Sequence, residues 1–453
     1  MNDDTPMNLN DIPDEPDKAT TFGHLLNYSV SDLFDSYDHK FTLDIHEPTI
    51  LTGANGTGKS TILRTIDWIS RGEWDALSRV PFGRINLEFE RARLEVKRKP
   101  SNTLGITLNR PHLLPENWTY SPHVQIGLFA DDEEFMRLSE NGRQFLLENM
   151  VSQEFSELKP AQRTRLLRIA SQNRKKTTPA WINRIPNAFP ALFVSDQRLA
   201  PERRKRPSKR GTGDVVDVVE AIEAAVLRIN DEVQRFKSLY GTASQNLDRD
   251  FPRRVFSTMS TQQTFGGQKN IARDFEEVQK LRASLAATGL IDSAEVDESI
   301  SDLPLDNPDS LALISTYLGD TKKKLATFAP LHRRLQPFIE FLRRHYKGKE
   351  INIDEERGFR ITSEIMGEEI SPTHLSSGEQ QIFILAHKLL FESSPGTLVI
   401  IDEPELSLHV LWQSTFIDDL TEISKVSGTY FLLATHSPTL IAGRSDLRRS
   451  LDG

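Results

Sequence analysis

The stretch Gly53-Ala54-Asn55-Gly56-Thr57-Gly58-Lys59-Ser60-Thr61 decides how this chain is read. It fits G-x-x-x-x-G-K-[ST], a loop that cradles nucleotide phosphates with backbone N–H groups, an ammonium and a hydroxyl. The flanks agree with it. Apolar Thr49-Ile50-Leu51 reads as a strand entering the loop, and Ile62, Leu63, Ile66 and Ile69 continue at helical spacing. Strand, glycine-rich loop, helix is the context in which the pattern binds phosphate. Asn55, Gly56, Thr57, Gly58, Lys59, Ser60 and Thr61 are therefore the candidate ATP-binding residues.

The last hundred or so residues supply partners for this loop. Thr397 to Ile401 is apolar throughout and ends in Asp402-Glu403. A strand apolar at every position suits a central parallel sheet, covered on both faces. Asp402, with the Ser60 hydroxyl, would hold Mg²⁺, and Glu403 would orient and deprotonate the attacking water. Upstream, Leu375-Ser376-Ser377-Gly378-Glu379-Gln380 opens a helix carrying Ile382, Leu385 and Leu389. Hydroxyls, free N–H groups and the positive end of the helix make that turn an anion site. Downstream, Tyr430 to Thr435 reads as another buried strand, ending in His436, placed to contact a γ-phosphate.

Bulk properties limit the alternatives. The 453 residues allow two to four domains. Net charge is -9, so the whole molecule is not a binder of polyanions by its global field. No run of 18 apolar residues suggests a membrane span. There is no cysteine, which excludes disulfides and thiol catalysis and fits a reducing cytoplasm. Residues 1–20 read as a disordered acidic tail without the apolar core of a secretion signal. Residues 21–210 read as an N-terminal lobe with a helical excursion at 130–185. Alternation at Phe41, Leu43, Ile45 and at Ile85, Leu87, Phe89, Leu94, Val96 predicts an antiparallel sub-sheet there. Residues 211–346 read as a helical, coiled-coil-like insertion, with apolar stripes from Val215 to Tyr240, Ile271 to Leu285 and Leu325 to Leu342. Residues 347–453 read as a C-terminal lobe, beginning with a hairpin of Ile351, Ile353, Phe359, Ile361 and Ile365.

With these motifs in this order, the chain resembles the ABC-type ATPase superfamily. Leu375 to Gln380 stands where that family has its signature, and Gly378 lies 24 residues before Asp402. The resemblance implies an α/β head: a mixed sheet with a phosphate-loop core, an antiparallel sub-sheet and an inserted helical subdomain. It implies ATP and Mg²⁺ as cofactors. It also implies that Ser376, Ser377, Gly378 and Glu379 act in trans, on the ATP held by another subunit, in a head-to-tail dimer. Glu403 and His436 would be catalytic, and Pro404 to His409 would be the loop linking the two sites. Gln197, after the strand Ala191 to Ser195, is the candidate glutamine on Mg²⁺, with Gln125 as competitor.

The 319 residues between Lys59 and Gly378 are too many for a transporter ATPase and too few for Rad50 or SMC arms. The Ser-Gly-Glu-Gln signature and Asp-Glu-Pro-Glu run resemble RecF-like and OLD-like ATPases. Only 17 residues follow His436, leaving no room for a Toprim nuclease domain. The resemblance is then to the ATPase subunits of two-gene anti-phage systems, PARIS first and Septu second. That implies a soluble cytoplasmic ATPase forming an oligomer such as a hexamer. It would answer a phage-encoded trigger and hold or release a separate Toprim-type or HNH nuclease. The alternative is a DNA-repair ATPase of RecF type that binds DNA when ATP is bound. The cluster Arg203-Arg204-Lys205-Arg206 with Lys209-Arg210 could hold nucleic acid, or could be a solvated loop. Asp418-Asp419 and Arg343-Arg344-His345-Tyr346-Lys347 read as solvated helix surface.

Overall fold

In the computed structural model, the residues described are 21–121, 178–195, 218–260, 267–292, 307–354, 358–406, 408 and 410–451. Strands β1 (Leu25–Leu33) and β2 (Tyr37–Thr42) precede β3 (Thr49–Thr52), which feeds the phosphate loop and helix α1 (Lys59–Arg71). The short α2 (Trp74–Ser78) leads into β4 (Arg84–Phe89), β5 (Arg93–Arg98), β6 (Leu104–Asn109) and β7 (Glu116–Tyr120). These build an antiparallel sheet in the order β2-β1-β4-β5-β6-β7. It is larger than the alternation read from the sequence suggested. Its inner face is apolar, with Tyr28, Val30, Ile85, Leu87, Leu94, Val96 and Ile106 buried, and it packs with α1 in one core cluster.

A second sheet is wholly parallel and draws on both ends of the chain. Its order is β13-β3-β12-β11-β8, from β8 (Ala191–Ser195), β11 (Leu398–Asp402), β12 (Tyr430–Ala434) and β13 (Arg448–Ser450). Before β8 lies α3 (Ala180–Ala188). Strands β11 and β12 are buried at every position, as a strand covered on both faces must be. Their side chains alternate between two cores. Leu398, Ile400, Tyr430 and Leu432 join the cluster containing α1, whereas Val399, Ile401, Phe431 and Leu433 join the other.

That other core belongs to the helices. It gathers α4 (Val218–Ser260), α5 (Gly267–Ala287), α6 (Pro308–Ala326) and α7 (Ala329–His345) together with α8 (Ser377–Phe391) and α10 (Phe416–Ser427). The short helices α9 (Val410–Gln413) and α11 (Pro438–Ile441) flank α10. The stripe Ile222, Ile229, Val233, Phe236 on α4 is buried, so it serves packing within the chain. Tyr240 stacks on Phe328 at 5.0 Å, and Phe338 of α7 meets Phe383 of α8 edge-on at 5.4 Å. Arg334 binds Glu232 at 3.1 and 2.5 Å, fixing α7 against α4. The insertion therefore shares one continuous core with the signature helix. The mixed α/β fold with a parallel core, an antiparallel sub-sheet and a helical insertion is the one expected. The tail 1–20, the excursion before residue 178 and the loop 203–210 lie outside the described residues.

Three local readings are corrected. Ile365 does not pack in the hairpin β9 (Lys349–Asp354) with β10 (Gly358–Ser363); it is 88% exposed at a turn beyond β10. Asp419 is not solvated but buried, with Arg344 at 2.8 Å and His345 at 3.3 Å. His345 and Tyr346 are buried as well, because α7 ends against α8 and α10.

Helix α5 ends on Gly289 at φ 74, and Leu290 N–H bonds back to Leu285 O. A Cβ there would stand 2.0 Å from Ile353 O of β9. Gly289→Ala is expected to destabilise the protein by about 2 kcal/mol or more, through left-handed strain plus this clash. Thermal denaturation measures it; an unchanged melting point would contradict this packing.

Candidate functional site

The phosphate loop is shaped by its glycines and its lysine. Gly56 and Gly58 have φ of 88 and 90, conformations that side chains rarely adopt. At Gly58 a Cβ would also lie 2.7 Å from Leu33 Cδ2 of β1. Lys59 is buried, and its Nζ donates to the carbonyls of Gly53 at 2.8 Å and Ala54 at 3.0 Å. The ammonium is thus held inside the curve of the loop. Thr57 Oγ1 donates to Ala54 O at 3.0 Å, and His39 Nε2 from β2 donates to Thr57 O at 2.9 Å. Asn55 and Gly56 are exposed at the tip, while Thr61 is half-buried in the first turn of α1.

Parallel pairing brings the C-terminal carboxylates to this loop. Ser60 Oγ donates to Asp402 Oδ1 at 3.0 Å, across 342 positions of sequence. Glu403 follows at φ 49, an uncommon backbone for a non-glycine residue, and its N–H donates to Ala434 O at 2.9 Å. His436 is exposed just past β12, and its backbone N–H donates to Glu405 Oε1 at 2.8 Å. A hydroxyl beside a carboxylate is a hard-oxygen set that fits Mg²⁺. A buried ammonium behind left-handed glycines at a helix start fits nucleotide phosphates. The residues present therefore suit magnesium and a nucleoside triphosphate.

The signature turn is built separately. Ser376 caps α8, accepting from Glu379 N–H, while Glu379 Oε2 accepts from Ser376 N–H at 3.0 Å. Lys349 Nζ donates to Glu379 Oε1 at 2.6 Å, and Tyr346 OH donates to Glu379 O at 2.7 Å. Burial alone would raise the Glu379 carboxyl; hydrogen bonds from Lys349 and Ser376 outweigh it and hold the group below its ordinary value. At Gly378 a Cβ would lie 3.2 Å from the Trp412 ring, so the turn sits tightly on α9. Helix α8 packs on the face of the parallel sheet opposite α1. Within one chain the structure groups Lys59, Ser60, Asp402, Glu403 and His436, and places Ser376, Ser377, Gly378 and Glu379 on the other side. Gln197 and its competitor Gln125 lie outside the described residues.

Several residues here carry no local signal. Lys349, Tyr346 and Trp412 support the signature from distant elements. Gln413 holds Ser437, next to His436. Glu405, part of the Asp-Glu-Pro-Glu run read from the sequence, holds the His436 backbone, a contact the sequence did not show.

Comparison with known proteins gives one family and a loose structural likeness. The family described as "AAA domain, putative AbiEii toxin, Type IV TA system" matches residues 246–442, which contain the signature, Asp402-Glu403 and His436. This match supports an AAA-type ATPase reading of that stretch, in accord with the loop geometry. No curated protein matched the chain. Among solved structures, the Smc head with an extended coiled coil, bound to the C-terminal domain of ScpA, from Pyrococcus furiosus is 14% identical. It covers 92% of this chain and 91% of that chain at a TM-score of 0.36. The SMC head domain from Thermotoga maritima is 12% identical over the same shares, at 0.32. These TM-scores describe a loose likeness. No helix among the described residues is long and apolar enough to cross a membrane.

The depressed Glu379 carboxyl has a pH signature. Its stabilisation is present above the ordinary carboxylate range and is lost as pH falls through its lower folded value. Glu379→Gln should remove this contribution. The melting point should then fall less between about pH 5 and about pH 2 than in the wild type. The difference should be a few degrees at most, since solvent screens the pair. Identical acid limbs would count against the Lys349–Glu379–Ser376 arrangement.

Proposed function

We propose that this chain is an ATP-hydrolysing ABC-type ATPase, and that it serves as the sensor and scaffold of an anti-phage defence system. The observation that carries the ATPase reading is the joining of Ser60 to Asp402, with Lys59 and Glu403 on either side. Lys59 exchanges its loop carbonyls for phosphate oxygens, and the N–H groups of Asn55 to Thr61 face the same charge. Ser60 and Asp402 would hold magnesium, with Gln197 as a further candidate. Bound magnesium would neutralise phosphate charge and fix its geometry. Glu403 takes the proton of the attacking water on a carboxylate oxygen, and His436 contacts the γ-phosphate.

The signature lies on the opposite face of the sheet from α1, which supports a site completed by a second copy. Ser376, Ser377, Gly378 and Glu379 of one subunit close on the nucleotide of another, head to tail, and larger rings such as a hexamer build on that dimer. In this reading residues 21–210 and 347–453 are two lobes of one ATPase head, and 211–346 is its helical insertion.

The defence role rests on the resemblance to two-gene systems and is favoured by the description of the matched family as a putative toxin of a type IV toxin–antitoxin system. In this reading the chain works in the cytoplasm. It answers a phage-encoded trigger and holds or releases a separate nuclease, of Toprim type as in PARIS or HNH type as in Septu. The basic loop 203–210 is a candidate contact for nucleic acid.

Lys59→Ala should lower ATP turnover at least ~10²-fold by removing the phosphate-facing charge. Glu403→Gln should lower it ~10²- to 10⁴-fold while nucleotide binding persists. Purified variants in a phosphate-release assay test this, and undiminished turnover in both would sink the ATPase reading. A plaque assay with the adjacent gene co-expressed tests the defence role separately. Both variants should lose protection, and protection equal to wild type would remove that role.

A further inference from the structure

Outside the motifs, one buried amide bridges two functional loops. Gln413, the last residue of α9, is buried. Its Nε2 donates to the carbonyls of Glu405 and Leu408, each at 3.2 Å. Its Oε1 accepts from Ser437 Oγ at 3.0 Å. Two carbonyl acceptors at one end of the amide fix that end as the NH₂. Glu405 spans the same gap from the other side, where its Oε1 accepts the backbone N–H of His436 at 2.8 Å. Its second oxygen, Oε2, is buried and has no hydrogen-bond partner among the described residues. Between these anchors Leu406 is 63% exposed, which leaves the loop open to an incoming surface.

We infer that Gln413 and Glu405 are positioning residues that couple the Glu405 and Leu408 backbone to His436, so that docking of a second copy against Leu406 sets the place of the imidazole. The inference rests on the ATPase reading above. The coupling runs through particular hydrogen bonds. Movement of the Glu405 or Leu408 carbonyl pulls the Gln413 amide, which pulls Ser437, while the Glu405 carboxylate carries the His436 backbone with it.

The test uses the full-length chain. Gln413→Met keeps the length of the side chain and removes both polar ends. It is expected to lower kcat for ATP about tenfold or more, and to leave affinity for a fluorescent ATP analogue within about twofold. Backbone amide exchange at His436 and Ser437, read by mass spectrometry, should become about tenfold faster or more. In a His436→Ala background, Gln413→Met should lower kcat no further, because the two would lie on one path. Additive losses, unchanged exchange at His436, or a loss of affinity that matches the loss of kcat would each overturn the coupling. Should Gln413→Met fail to fold, Ser437→Ala cuts the same path at a half-buried position and is read in the same way. An absence of ATP turnover in the wild type would overturn the ATPase reading alone, and exchange at His436 would still decide the coupling.

Discussion

Ser60 Oγ reaches Asp402 Oδ1 at 3.0 Å, and that contact depends on a sheet assembled from both ends of the chain. Hydroxyl and carboxylate sit at the ends of different elements, so neither can be placed without β3, β12 and β11 lying parallel and in register. Leu51 pairs with Ala434, and Ala434 pairs with Asp402. A slip of one residue along β11 would move Asp402 off the loop. It would also turn Leu398 and Ile400 toward the wrong core. Alternation between two hydrophobic cores therefore specifies the position of the carboxylate more firmly than any polar contact could.

The same alternation divides the molecule by chemistry. One core carries α1 and the antiparallel sheet beneath the phosphate loop, and the other carries the insertion and the signature helix. Tyr240 stacks on Phe328 within the insertion, and Phe338 meets Phe383 to join the insertion to α8. Close-packed interiors transmit displacement poorly at solvated surfaces and well through such contacts. A tilt of the insertion would therefore be felt at Ser376 to Glu379 before it was felt at Lys59.

Legibility in the sequence followed the range of the interaction. The phosphate loop was readable because its glycines and lysine act within nine residues, and β11 and β12 because burial on both faces leaves no polar position. Strand β13 was not, since Arg448-Arg449-Ser450 is a polar edge strand whose pairing with β3 supplies its only cue. Asp419 and His345 were misread because charged residues look solvated until their partners are known, and Arg344 reaches Asp419 from another helix. Glu405 was legible only as part of the Asp-Glu-Pro-Glu run, and nothing in the local sequence gave the contacts of Trp412 and Gln413. Their roles come from contacts with Gly378, His436 and Ser437, which no local window contains.

The order β13-β3-β12 bears on synthesis. Both neighbours of the phosphate-loop strand come from residues 430–434 and 448–450. During translation β3 therefore emerges early and waits without a sheet partner among the described strands until the far end of the chain appears. At ~5–20 residues per second that wait is on the order of 20 to 80 seconds. A chain that stops before residue 430 therefore lacks both sheet neighbours of the strand that feeds the phosphate loop.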